Sequence, residues 1–189
     1  MSNAHTSHDM ADTVRSARKI DRPLVLVGLM GVGKTSIGRR LAAALDRDFI
    51  DADEEIERAA DRTVAEIFEA HGEAYFRDGE RRVIARLMEE GHGVIATGGG
   101  AFIDAETRAL VLERGLAVWL DCDLDTLVER TSRKNTRPLL KTGDPRQILR
   151  DLKEQRSPAY AQAQIHVVTD GGPHDVAVAR IIQELAQWQ

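Results

Sequence analysis

The stretch Gly28-Leu29-Met30-Gly31-Val32-Gly33-Lys34-Thr35 satisfies the pattern G-x-x-x-x-G-K-[ST] at every specified position. It follows the apolar run Leu24-Val25-Leu26-Val27 and precedes a segment in which Ile37, Leu41 and Leu45 share one helical face. Strand, glycine loop and amphipathic helix in that order make a phosphate-cradling loop. Gly31 and Gly33 let the backbone curl so that successive N–H groups point inward at phosphate oxygens. A helix beginning near Lys34 adds its positive N-terminal end. Lys34 brings a point charge to the β- and γ-phosphates, and Thr35 offers a hydroxyl to Mg2+. The complete motif in this setting outweighs the plainer reading, a glycine turn before an ordinary helix. The chain reads as a nucleoside-triphosphate binder.

The rest of the chain repeats the alternation. Phe49-Ile50 ends in Asp51-Ala52-Asp53, and Val94-Ile95-Ala96 runs into Gly98-Gly99-Gly100. Ala117-Val118-Trp119-Leu120 runs into Asp121, and Ile165-His166-Val167-Val168 into Thr169-Asp170. With Leu24–Val27 these predict five buried strands, near-continuous in apolar character as parallel strands are. Between them, Phe76, Val83, Ile84, Leu87 and Met88 share a helical face, as do Val178, Ile181, Ile182 and Leu185 behind a candidate N-cap, Asp175. Alternating strand and helix predict an α/β fold on a parallel sheet, with ligands beyond the carboxyl ends of the strands. The Gly, Asp and Thr clusters fall there.

Composition narrows the function classes. A chain of 189 residues suits one domain, and its single cysteine, Cys122, forbids an internal disulfide, which fits a reducing cytoplasm. A net charge of −5 and 4% aromatics disfavour nucleic acid, and no apolar run is long enough to span a membrane. A bound anion must be met by a local cluster of donors. Residues 1–20, polar with both charges and with His5 and His8, read as a disordered N-terminal extension before a single domain over 21–189.

A phosphate loop does not identify its acceptor. The chain is short for a motor and lacks the base motif of a GTPase, which favours a small kinase. Asp51 and Asp53 project to one side if the strand stays extended. One would serve Mg2+ through water and the other a substrate hydroxyl, a carboxylate being the acceptor that phosphoryl transfer to an alcohol requires. The plainer alternative makes Asp53 a helix cap. Gly98, Gly99 and Gly100 expose backbone N–H groups to an anionic or polyhydroxy ligand; alternatively they are a loose turn capped by Asp104. Arg77 has the planar fork that matches a carboxylate, or pairs with Glu80 on an exposed helix face. Arg156 has the same fork, or simply suits the negative end of a helix. Arg130 to Arg137 carries four basic residues in eight, either a loop that closes over phosphates or a solvated surface loop.

In combination, Phe49-Ile50-Asp51-Ala52-Asp53, Ile67 to Arg77, Thr97-Gly98-Gly99-Gly100 and Asn135-Thr136-Arg137-Pro138-Leu139-Leu140 resemble the shikimate kinase family over roughly residues 23–188. The resemblance implies a three-layer phosphate-loop fold with five parallel strands in the order 2-3-1-4-5, helices on both faces, an acceptor region near 52–81 and a mobile lid near 130–142. It implies transfer of the γ-phosphoryl group of ATP to the 3-hydroxyl of shikimate, with Mg2+, on the route to chorismate and aromatic amino acids. Roles follow by position. Lys34, Asp53 and Arg137 are catalytic. Gly31, Val32, Gly33, Lys34, Thr35, Ser36, Arg130, Arg137 and Pro173 bind ATP. Asp53, Arg77, Gly98, Gly99, Gly100 and Arg156 bind shikimate. Thr35 ligates the metal, and Asp51 supports it through water. Gly171-Gly172-Pro173 departs from the family's adenine loop, where side chains often present are missing. A cytoplasmic monomer acting on shikimate and ATP, without nucleic acid or membrane, is the expectation. The rivals are a kinase for another hydroxy acid such as gluconate, and a nucleotide-binding regulator.

Overall fold

A computed structural model describes residues 3–91, 93–132, 143–169 and 171–188, with the backbone alone over 3–9. Its centre is β1 (Leu24–Val27), four apolar residues with no exposed surface. β1 pairs in parallel with β3 (Val94–Ala96) on one side and β4 (Leu116–Cys122) on the other. β2 (Phe49–Asp51) and β5 (Ile165–Thr169) form the edges, so the order is β2-β3-β1-β4-β5, as expected. In register, Leu26 stands between Ala96 and Val118, and Asp51 stands beside Ala96. The phosphate loop, Asp51 and the glycine run therefore leave the sheet at one end. Thr97 pins this arrangement, its N–H and hydroxyl both donating to the Leu26 carbonyl.

The helices are α1 (Asn3–Arg18), α2 (Lys34–Leu45), α3 (Ala52–Ala60), α4 (Val64–Glu90), α5 (Ala105–Arg114), α6 (Leu124–Ser132), α7 (Pro145–Tyr160) and α8 (His174–Gln187). α1, α2 and α8 pack against one another, while α4 and α5 pack together and α5 lies on β4, which covers both faces of the sheet. α2 buries Ile37, Leu41 and Leu45, the stripe read from sequence. α4 opens with a capping box in which Thr63 accepts from the Glu66 N–H and Glu66 accepts from the Thr63 N–H. It is kinked at Gly72, where φ is +77°, and then buries Phe76, Val83, Ile84, Leu87 and Met88.

Three expectations change. Where a disordered tail is expected over 1–20, the structure has helix α1, because Ala17 is fully buried, Val14 packs against the core and Arg18 donates to the Ala44 carbonyl. The two edge strands are not buried as expected: Phe49, Ile50 and Asp51 of β2 are all partly exposed, and in β5 His166 and Val168 are exposed while Ile165, Val167 and Thr169 are buried. Asp175 lies in the first turn of α8 and is not its cap; Pro173 precedes the helix, and Asp175 pairs with Arg40 at 3.3 Å.

Candidate active site

At the carboxyl end of the sheet opens a cleft of about 680 Å3, lined at one end by the phosphate loop and at the other by Asp53, Arg77, the glycine run and Arg156. Gly31 and Gly33 have φ of +89° and +98°, the left-handed backbone that the loop requires. Lys34 folds back across the loop, its Nζ donating to the carbonyls of Gly28 at 2.7 Å and Leu29 at 2.9 Å. Val32 and Ser36 belong to the same loop and first helical turn. The Val32 carbonyl accepts from Arg130 Nη1 at 3.3 Å, which anchors the end of α6 to the loop.

Asp51 and Asp53 divide their work. Asp51 Oδ2 accepts from the Thr35 hydroxyl at 2.9 Å, and Oδ1 accepts from the Asp53 N–H at 3.1 Å, so Asp51, and not Asp53, caps α3. That leaves the Asp53 carboxylate turned to the cleft. Burial pushes its carboxyl above the usual aspartate range, and the charge of Asp51 pushes the same way, while Lys34 and Arg77 oppose. The Thr35 hydroxyl and the Asp51 carboxylate form a pair of hard oxygen donors. No cluster of three metal-binding side chains exists among the described residues. Two hard oxygens in this place are a donor set of the kind Mg2+ takes, since it keeps several waters and adds oxygens from phosphates.

Arg77 pairs with Glu80, as one reading of its helix allowed, yet not on an exposed face. Glu80 is 1% exposed, and its Oε2 accepts from Arg77 Nη1 at 2.5 Å. Burial raises the Glu80 carboxyl, and the adjacent Arg77 guanidinium works against that rise. Glu80 Oε1 is buried with no hydrogen-bond partner among the described residues. The residue pattern offers Glu80 only as an exposed partner of Arg77 and does not announce its burial. The available signal was its position four residues after Phe76 and four before Ile84, on the buried stripe.

The glycine run fits closely against these side chains. A Cβ at Gly100 would overlap the Arg77 guanidinium, and one at Gly98 would stand 2.8 Å from Asp53 Oδ1. Arg156 lies one turn inside the end of α7, and its Nη1 donates to the Gly99 carbonyl at 3.1 Å. Tyr160, the last residue of that helix, donates its hydroxyl to the same carbonyl at 2.5 Å; burial pushes its phenol up to about 12. Pro173 lies with Arg130 beside a smaller recess next to the loop. Asp104 caps α5, as the alternative reading of the glycine run allowed. Arg137, with the rest of 133–142, lies outside the described residues, as does His92.

Comparison with known proteins identifies the family. The model of the family described as shikimate kinase matches residues 30–186. A shikimate kinase of Novosphingobium aromaticivorans is 61% identical over 178 residues, covering 92% of each chain. One from Caulobacter vibrioides is 57% identical over 166 residues, covering 88% of this chain and 83% of its own. Among solved structures, a shikimate kinase from Acinetobacter baumannii in complex with shikimate superposes with a TM-score of 0.80 at 40% identity, covering 90% of this chain and 94% of its own.

Proposed function

The chain belongs to the shikimate kinase family, and from that premise we propose how its cleft carries out phosphoryl transfer from ATP to shikimate. The reaction consumes ATP and shikimate and yields shikimate 3-phosphate and ADP. The observation that carries the reading is the convergence of Arg77, Arg156 and Asp53 on one glycine run, in the cleft that the phosphate loop opens into. Shikimate is an anionic triol. Arg77 and Arg156, with the Gly99 N–H, take the carboxylate by forked, charge-assisted hydrogen bonds. Gly98 and Gly100 let the ring approach the backbone. Asp53 reads a hydroxyl and orients the 3-hydroxyl for attack.

As the 3-oxygen bonds to the γ-phosphorus and the bond to ADP breaks, Asp53 accepts the hydroxyl proton. A carboxyl raised above its ordinary range is a better base for that task. Gly31 to Ser36 hold the phosphates through backbone N–H groups. Lys34 leaves its carbonyl partners for the β- and γ-phosphates, and Arg137 neutralises developing charge on the transferring group. Arg130 and Pro173 bound the base. Thr35 and, through water, Asp51 would hold Mg2+, which supplies charge neutralisation between the phosphates when bound. We place the enzyme in the cytoplasm as a monomer, with residues 21–189 as one kinase domain. Among the described residues no helix is long and apolar enough to cross a membrane.

The test is coupled ADP release with MgATP, with and without shikimate, and with gluconate as the control acceptor. Shikimate-dependent release, absent with gluconate, is the expected result. Release independent of the acceptor, or faster with gluconate, overturns the acceptor-side reading.

A further inference from the structure

The base-side loop before α8 has no long side chain in Gly171-Gly172-Pro173, yet the next residue reaches into the cleft. His174, the first residue of α8, places its Nε2 3.3 Å from where a Cβ on Gly33 would stand. The imidazole therefore lies directly over the last glycine of the phosphate loop. It forms a wall shared by the phosphate end of the cleft and the smaller recess beside Arg130 and Pro173. Among the described residues neither ring nitrogen makes a hydrogen bond within the protein. The charged groups facing it are Arg130 from α6, Arg40 from α2 and Asp175 from its own helix.

We propose that His174 is a nucleotide-contacting residue: with a nucleoside di- or triphosphate in the loop, its Nε2–H donates to a phosphate oxygen, and the ring takes up a proton from solvent as the nucleotide binds. The inference rests on the nucleotide site proposed above and adds a residue to it. Partial burial and the two arginines hold the imidazole below its usual value, so the free ring is neutral near pH 7. A bound polyphosphate brings several negative charges to the same spot, which reverses the balance. His174 thereby supplies, from the helix, a charge that its loop lacks.

Calorimetric titration of the full chain with ADP and Mg2+ at pH 7, in two buffers of different ionisation heat, tests this. Wild type is expected to take up more protons per ADP than His174→Gln. It should also bind about tenfold more tightly than His174→Ala, the usual worth of a charge-assisted hydrogen bond. Above pH 8, where the ring stays neutral, the gap should narrow. Equal affinity and equal proton count in wild type and both variants overturns the role of His174 and leaves the nucleotide site standing. Failure of every protein to bind ADP overturns the nucleotide site itself.

Discussion

Asp53 and Glu80 stand on different helices yet crowd one glycine: a Cβ at Gly98 would lie 2.8 Å from Asp53 Oδ1 and 3.1 Å from Glu80 Oε1. The carboxylate proposed to read the substrate and the carboxylate that holds Arg77 are thus positioned against the same backbone atom. Gly98→Ala must move one of them. A displacement on the order of 1 Å costs about a hundredfold in rate. We expect kcat/KM for shikimate to fall by about that factor while ADP binding is unchanged. Wild-type kinetics in this variant would contradict the close packing.

Arg77 bears on both substrate and stability. Arg77→Ala should raise the KM for shikimate at least about tenfold, with a smaller effect on kcat. It also strands the buried Glu80 carboxylate, an expected loss of about 3–5 kcal/mol in denaturant unfolding. Adding Glu80→Gln should return most of the stability and none of the affinity. Restoration of both would make Arg77 a structural residue only.

Lys34 changes partners in this account, from the Gly28 and Leu29 carbonyls to phosphate. Lys34→Ala should lower kcat by about 100- to 1000-fold, the usual loss for one preorganised donor to a developing charge. The KM for shikimate should hardly move. Steady-state kinetics with both substrates varied would separate the two.

Asp53→Asn should cost about 100- to 10,000-fold in kcat, the range of a lost general base. Its effect on stability has the opposite sign. A carboxyl raised on folding binds its proton more tightly in the native state, so its stabilising contribution is present below the ordinary value of 3.8 and lost as pH rises through the folded value. The neutral amide escapes that loss. At pH 7.5 the variant should therefore melt above wild type, and the gap should close on acidification toward pH 4.

Much of this arrangement is legible in the residue pattern because apolar runs ending in Gly or Asp mark both the strands and their functional ends. The phosphate loop, the sheet order and the stripes of α2 and α8 follow from that pattern and the family resemblance. What escaped it depends on tertiary contact. Asp51 and Asp53 are two residues apart, and spacing alone does not say which caps α3; the Asp53 N–H, donating to Asp51 Oδ1 at 3.1 Å, makes Asp51 the cap. Glu80 looks like an exposed partner of Arg77 until the packing of α4 buries it. Ala17 and Val14 are too sparse a stripe to announce α1, which forms because α2 and α8 offer it a surface. His174 has no motif, and only its place over Gly33 distinguishes it.

The most direct test of the central claim is phosphorus–proton correlation NMR on the product formed from the enzyme, MgATP and shikimate. The account predicts a single new phosphomonoester whose phosphorus couples to the proton on carbon 3 of the ring. Phosphorus on another ring carbon, or inorganic phosphate alone, would contradict it.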